Sequence, residues 1–243
     1  MTARLLVAPA RLAPGELAVD GDDYAYLFRA RRLAVGDAVQ VFDGAGREAP
    51  AVVASVGPTV AILTVGTVER AARPRPHLTV LQALIKGERM DWCLEKLVEI
   101  GVDAIVPCTT ERTVVKLDDA RRASRLERHR ALAVAAARQC GRADVPTVAG
   151  VTSLADAVAA VTADARLVAD PSGPRLGPAH AMAPSIAVLI GPEGGLSADE
   201  LVRVTAAGFV AIGLGPTIVR AETAGMIVAA GLRLFAPAPA DAV

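Results

Sequence analysis

Two short stretches of this chain hold charged side chains within loops otherwise built of glycine, proline and small residues. They are GPEGG at 191–195, with Glu193, and GPTIVRAETAG at 215–225, with Arg220 and Glu222. A turn needs glycine for unusual backbone angles and proline for stiffness, but it needs no charge. The two stretches are therefore read as halves of a binding site, although spacing alone leaves open that both are only tight turns. Glycine-rich loops between a strand and a helix often cradle phosphate on backbone N–H groups. A carboxylate at Glu193 opposes an anion there. Neither stretch matches G-x-x-x-x-G-K-[ST] or G-x-G-x-x-G, which argues against a nucleoside triphosphate or a dinucleotide.

The flanking residues say how these loops must be held. LIGPEGGLSADE at 189–200 leaves an apolar strand candidate and enters a helix whose Ser197 and Glu200 have the spacing of a capping box. The next strand candidate, VAIGLG at 210–215, runs into the second loop, and the apolar helix MIVAAGLRLF follows. Both loops thus leave the carboxyl ends of strands, where ligands bind in open α/β sheets. A ligand with an adenosine, no phosphate and a positive charge suits backbone donors and acceptors beside a carboxylate. S-adenosylmethionine has that description.

Upstream, LTVLQALI, DAIVP, ARLVAD and SIAVLIG are further strand candidates, alternating with helical patterns. In MDWCLEKLVEIG, residues Met90, Cys93, Leu94, Leu97 and Val98 share one helical face and Gly101 stands at the cap. Trp92 and Met90 are read as core. A long helix is expected through RRASRLERHRALAVAAARQCG. This alternation predicts an α/β domain with a largely parallel sheet over 73–243. Residues 1–72 instead show strand-like runs broken by DGAG and GP, and predict a small β-barrel or sandwich. RAARPRPH at 70–77 reads as a linker.

The chain has 243 residues and a formal net charge of zero, so its overall charge does not point to nucleic acid. The charge is uneven, however. From Glu111 to Arg142 there are nine basic residues against four acidic ones. Three cysteines and three histidines, all widely spaced, suit neither a disulfide framework nor a metal site. No run of about eighteen uncharged apolar residues is present to span a bilayer, and the N-terminus lacks a convincing signal peptide. A cytoplasmic protein without metal or membrane association is expected.

The combination of LIGPEGGLSADE with LGPTIVRAETAG resembles the paired cofactor loops of the RsmE-type small-subunit (16S) ribosomal RNA uracil-N3 methyltransferases, members of the trefoil-knotted SPOUT superfamily. KGERMDWCLEKLVEIGVDAIVPCTTERTVVK and RQCGRADVP extend the resemblance, which covers Leu78 to Phe235. It implies a SPOUT-type knotted α/β domain preceded by a PUA-like RNA-binding β-barrel, homodimerisation through the knotted domain, and S-adenosylmethionine as cofactor. The substrate it implies is a uridine of the assembled small subunit. Carried over by motif, the cofactor pocket involves Leu189, Ile190, Gly191, Gly194, Gly195, Leu214, Gly215, Ile218, Arg220, Glu222, Thr223 and Ala224. Three features depart from the family pattern: Ala221 replaces a threonine, Arg138 an acidic residue, and YAYLFRARRL a histidine-containing stretch.

On this resemblance Arg220 binds the uracil or its developing charge, while Glu222 acts as base or holds Arg220 in place. Contacts to RNA phosphate are expected from Arg29, Arg31 and Arg32 of the first domain. Lys86, Arg89, Arg112, Lys116, Arg121, Arg122, Arg125 and Arg142 of the second are further candidates. A sister SPOUT enzyme acting on another RNA and a non-catalytic RNA-binding assembly factor remain open as alternatives.

Overall fold

A computed structural model describes residues 2–113 and 118–237. Its contacts divide the chain into two units. The first is Met1–Arg73 together with Ala137–Val145, and the second is Pro74–Ala136 with Pro146–Val243.

The first unit contains β1 (Ala3–Leu6), β2 (Gly15–Val19), β3 (Ala38–Phe42), β4 (Arg47–Val56), β5 (Ala61–Val65) and β6 (Glu69–Arg70). Its sheet runs β1-β3-β4-β5-β2, with β6 on β4. Only the β1–β3 pair is parallel. Alternation decides which residues face the core: along β4, Ala49, Ala51 and Val53 are buried while Pro50, Val52 and Ala54 are not. A short helix, α1 (Gly21–Tyr24), and the wider turn Ala25–Ala30 add Tyr24 and Leu27 to that core. Arg138, where the family pattern has an acidic residue, lies 3.4 Å from Asp23 and stacks its guanidinium 5.2 Å from the Tyr26 ring centroid.

The second unit contains β7 (His77–Ala83), α2 (Arg89–Ile100), β8 (Ala104–Thr109), α3 (Asp119–Cys140), β9 (Thr147–Val148) and β10 (Thr152–Ser153). It continues with α4 (Leu154–Ala160), β11 (Ala165–Ala169), β12 (Ser185–Ile190), α5 (Ala198–Ala206), β13 (Val210–Ile212) and α6 (Ala221–Phe235). The last four residues of α3 fall in the first unit. The sheet order is β10-β8-β7-β12-β11-β13, with β9 on β8, and every pairing is parallel. Residues Ile186–Ile190 of central β12 are all buried, as a strand covered on both faces requires. Leu81, Ala187 and Leu189 join Leu154 of α4 and Val204 of α5 in one core layer. On β7 and β12 and against α2 packs α6. Its Gly225 comes so close that a Cβ there would stand 2.9 Å from Gln82 Oε1.

The connection from β11 to β12 crosses the chain leaving β13. The Gly213 N–H donates to the Pro174 carbonyl at 2.7 Å, and the Leu176 N–H donates to the Gly213 carbonyl at 2.9 Å. A Cβ on Gly173 would sit 2.6 Å from the Ala211 and Ile212 backbone, and one on Gly213 would sit 2.6 Å from the Gly173 carbonyl oxygen. Beyond the crossing, Leu176 lies against Gly231, and the turn Pro178–Ala181 contacts α6. The C-terminal helix is thus held between the sheet and an earlier segment, the arrangement of a SPOUT-type domain.

Trp92 departs from the expectation of a core residue. Met90, Cys93, Leu94, Leu97 and Val98 form the buried face of α2, but at 3.6 residues per turn Trp92 falls on the opposite side of the helix and is 45% exposed. On the neighbouring long helix, His129 is almost wholly buried. Loss of hydration pushes its imidazole down to about 4, against the smaller upward effect of the Asp91 charge.

Two predictions follow from these contacts. Gly213→Ala forces a Cβ onto backbone that has no room to yield, and should cost about 3 kcal/mol or more. Gly177→Ala, where a Cβ meets nothing within 4 Å, should change stability by less than about 0.5 kcal/mol. Thermal and urea unfolding of both variants would measure the contrast. The depressed His129 value means the folded state takes up its proton less readily than the unfolded chain. That contribution is intact above pH 6.5, the ordinary histidine value, and is lost as pH falls toward 4. Urea titrations at pH 7 and 4.5 should show wild type losing about 2–3 kcal/mol more than His129→Gln, which has no ionisable group there.

Candidate active site

Three strand ends and two loops of the second unit enclose a cavity of about 430 Å³. Its walls are Ala169–Pro171 after β11, Ile190–Leu196 after β12, and Leu214–Ala221 with Ala224 around the start of α6, omitting Pro216. The first loop is shaped by the Gly195 N–H donating to the Pro192 carbonyl at 2.8 Å, with Gly195 at φ +69°, a backbone region that favours glycine. The capping box expected from the sequence closes it. Ser197 Oγ accepts from the Glu200 N–H at 3.1 Å, and Glu200 Oε2 accepts from the Ser197 N–H at 2.9 Å. The other Glu200 oxygen accepts from the Glu111 N–H at 2.8 Å, tying α5 to the segment after β8. Arg112 of that segment donates to the Gly194 carbonyl at 2.7 Å.

Of the residues carried over to the cofactor pocket, Ile190, Gly191, Gly194, Gly195, Leu214, Gly215, Ile218, Arg220 and Ala224 line the cavity. Leu189, Glu222 and Thr223 do not. Consecutive strand residues point to opposite faces, so Leu189 enters the core layer with α4 and α5 while Ile190 meets the cavity. Glu222 is buried in the first turn of α6, where the helix dipole favours a carboxylate. Its Oε1 lies 3.6 Å from Arg89 Nη1, and its Oε2 has no hydrogen-bond partner among the described residues.

Arg89 is the centre of the local charge arrangement. From the first turn of α2 it reaches Glu193 Oε1 of the first loop at 2.8 Å as well as Glu222 beside the second. It therefore joins the two loops and is not a free phosphate ligand. Of the two roles considered for Glu222, holding Arg220 in place has no ion pair behind it among the described residues: the cation beside Glu222 is Arg89. Arg220, at the N-cap of α6, is exposed and makes no side-chain hydrogen bond or ion pair among the described residues.

Asp170 is a site residue that the sequence reading did not single out. It stands at the carboxyl end of the strand ARLVAD, and that position was its only signal. Its Oδ1 accepts from the Ser172 N–H at 2.8 Å and from Ser172 Oγ at 2.6 Å, which orients it at the cavity wall. The cavity thus presents two carboxylates, Asp170 and Glu193, one guanidinium, Arg220, and apolar walls from Ile190, Leu196, Leu214, Ile218 and Val219. Behind it, Cys93 is buried near Gln82 and the Glu222 carbonyl. Desolvation, with the Glu222 charge, pushes the Cys93 thiol up to about 12, so it is no nucleophile.

The basic candidates separate by environment. Arg29, Arg31, Arg32 and Lys86 are exposed, and the Arg29 guanidinium sits 5.9 Å from the Tyr24 ring centroid. Arg142 is only 12% exposed and bonds Asp144 at 2.7 Å, so it braces its own loop. Lys116 lies outside the described residues. Among the described residues no cluster of three or more His, Cys, Asp or Glu is arranged to hold a metal ion, and no helix is long and apolar enough to cross a membrane.

Fold and cavity define the class of this protein: a SPOUT-type α/β domain with a cofactor-sized cleft at its strand ends, joined to an N-terminal PUA-like domain. The model of the RNA methyltransferase domain matches residues 72–233, and that of the RNA methyltransferase PUA domain matches residues 19–65. Ribosomal RNA small subunit methyltransferase E of Mycobacterium tuberculosis is 38% identical over 218 residues, covering 86% of this chain and 82% of its own. The Bacillus subtilis protein of the same name is 30% identical, covering 85% of each. Among solved structures, ribosomal RNA small subunit methyltransferase E from Neisseria gonorrhoeae bound to S-adenosyl methionine superposes with a TM-score of 0.89 at 27% identity, over 97% of this chain and 98% of that one. The chain belongs to this RNA methyltransferase family.

Removing Arg89 should loosen both loops together. Arg89→Ala leaves Glu222 buried without its cation, and should weaken cofactor binding about tenfold, roughly 1–2 kcal/mol, with most of the fold's stability retained. Isothermal titration with S-adenosylmethionine, beside a thermal melt, checks this.

Proposed function

We propose that this chain transfers a methyl group from S-adenosylmethionine to N3 of a uridine in small-subunit ribosomal RNA. The observation that carries the reading is the cavity itself. About 430 Å³ is within the range of small-molecule sites. Two carboxylates on an apolar, glycine-edged wall suit a cationic sulfonium compound better than a phosphate ester. Ile190, Leu196, Leu214 and Ile218 would flank the adenosine, backbone groups of the two glycine loops would bond its edges, and Asp170 or Glu193 would face the positive charge. When bound, the cofactor supplies an electrophilic methyl group.

The chain's own contribution is alignment and charge. Methylation at N3 requires that the uracil nitrogen give up its proton, in this reading to solvent, and that the resulting anion lie in line with the methyl, whose bond to sulfur would break as the bond to nitrogen forms and release the neutral thioether. Arg220 is suited to this because its guanidinium is exposed at the cavity and is not spent on an internal carboxylate. A cation beside the uracil carbonyls lowers the cost of deprotonation and stabilises the developing charge. Glu222, turned toward Arg89, has a positioning role in this reading.

The homologues' names support a small-subunit ribosomal RNA substrate, and we extend this to the assembled subunit in the cytoplasm. The protein acts as a homodimer in this reading. In favour are apolar side chains left exposed on two helices that pack together, Trp92 on α2 and Ile227, Leu234 and Phe235 on α6.

Purified protein incubated with labelled S-adenosylmethionine and small subunits, naked ribosomal RNA or transfer RNA should label a uridine N3 of the small-subunit RNA. No label in any RNA would remove the enzyme reading, and label on transfer RNA alone would reassign the substrate. Arg220→Ala should bind the cofactor within about threefold of wild type, yet lose roughly 10²–10³-fold in methyl transfer. Near-normal turnover would sink the role given to Arg220.

A further inference from the structure

A second cavity of the α/β unit lies apart from the methyl-transfer site. It has a volume of about 610 Å³ and is lined by Gly87, Glu88 and Asp91 at the start of α2, and by Ala120, Arg121, Ser124, Arg125, Arg128 and His129 of α3. The spacings from Arg121 to His129 are those of a single helical face. Three guanidiniums and a hydroxyl are thereby presented to one space. Other arginines of α3 are directed elsewhere: Arg122 donates to the Val151 carbonyl at 2.9 Å, and Arg130 lies 3.4 Å from Glu127.

Two carboxylates, Asp91 and Glu88, also face this cavity. Asp91 is committed, because Arg128 donates to its Oδ2 and His129 Nε2 stands 3.7 Å from its Oδ1. His129 is 1% exposed, and its Nε2 has no hydrogen-bond partner among the described residues. Arg121 has only a loose, exposed pairing with Asp118 at 3.5 Å. Arg125 has no carboxylate partner among the described residues and is left to meet a ligand.

A compact oxyanion answers this arrangement. Guanidinium forks match phosphate oxygens, and Ser124 can donate a further hydrogen bond. We propose that the cavity between α2 and α3 binds a backbone phosphodiester of the RNA substrate, held by Arg121, Arg125 and Ser124, with Arg128 fixed by Asp91 at its edge. This rests on the reading of the protein as an RNA methyltransferase. It goes beyond that reading by selecting one face of α3 from a uniformly basic segment. The position also has a consequence for the reaction: Glu88 at the cavity wall is followed by Arg89, which ties together both loops of the methyl-transfer cleft. A phosphate seated here lies one residue from that tie.

The test compares Arg121→Ala/Arg125→Ala with Arg130→Ala, which removes an equally basic residue from another face of the helix. Affinity of the full-length proteins for purified small subunits, and for a fluorescein-labelled single-stranded ribosomal RNA fragment, is measured from 50 to 300 mM salt. The double variant should bind about tenfold or more weakly, with a salt slope shallower by about 1–2, as expected for one or two lost phosphate contacts. The Arg130 variant should stay within about twofold of wild type, and both should keep wild-type affinity for S-adenosylmethionine and wild-type melting temperature. Equal losses in the two variants would overturn the proposal in favour of a diffuse basic surface, and so would an unchanged double variant. Failure of wild type to methylate any RNA would overturn the enzymatic reading instead, and is read separately from the binding contrast.

Discussion

The cleft exists because two pieces of backbone cross within hydrogen-bonding distance. Gly173, after β11, and Gly213, after β13, approach so closely that either Cβ would lie inside normal contact distance of main-chain atoms. The short bonds between Gly213 and the Pro174–Leu176 segment hold that approach. The Asp170 N–H donates to the Ile212 carbonyl at 3.0 Å in the same place, so backbone groups of both segments are paired across the crossing. With the crossing fixed, the chain after β13 turns back across the sheet. Its loop then faces the one after β12, and α6 comes to rest on α2, β7 and β12. The cleft is therefore a product of chain topology, and its glycines serve two purposes: Gly173 and Gly213 permit the crossing, while Gly191, Gly194, Gly195 and Gly215 leave backbone accessible in the cavity wall.

Charge distribution around the cleft follows from which carboxylates are already engaged. Glu200 is consumed by a capping box and by the Glu111 backbone. Glu222 and Glu193 share Arg89, whose guanidinium is about two-fifths exposed. At that exposure the pairs contribute modest stability. Their larger effect is to fix two loops from different parts of the sequence relative to one helix terminus. Arg220, one residue before α6, is thereby left without an internal partner. A guanidinium that is already paired would have to exchange a carboxylate for substrate. An unpaired one at the rim meets its substrate without that exchange.

Much of this was legible in the sequence, and the misses have physical causes of their own. The strand and helix periodicities gave the parallel α/β unit, the capping box at Ser197 and Glu200, and the convergence of both loops at strand ends. What periodicity does not encode is the partner of a charged side chain across long separations. Arg89 and Glu193 are 104 residues apart, so motif position suggested an RNA contact where the fold makes an internal tie. The same holds for Arg112, spent on the Gly194 carbonyl 82 residues away, whereas Arg142 folds onto Asp144, two residues on, in a loop where periodicity is silent. Leu189 shows the finer limit: a one-residue step along a strand exchanges cavity for core. Trp92 was read as core with Met90 on an apolar helical face, although two residues along a helix turn it to the side opposite the buried stripe. Asp170 escaped notice because one carboxylate at a strand end carries no pattern.

Arg138 and Ala221, two departures from the family pattern, have different physical standing. Arg138 exchanges the usual sign of charge, yet its new partner Asp23 and the face of Tyr26 are both at hand in the N-terminal unit. The change is thus accommodated locally, where it touches neither loop of the cleft. Ala221 is different, since it lines the cavity between Arg220 and the buried Glu222. A threonine there would bring a hydroxyl to the wall, where alanine presents only a methyl group. The polar side chains that this loop brings to the cavity wall are then Thr217 and Arg220, beside its backbone groups. In the function proposed above, a base on this side meets Thr217 and Arg220 without the further hydroxyl that a threonine at 221 would add.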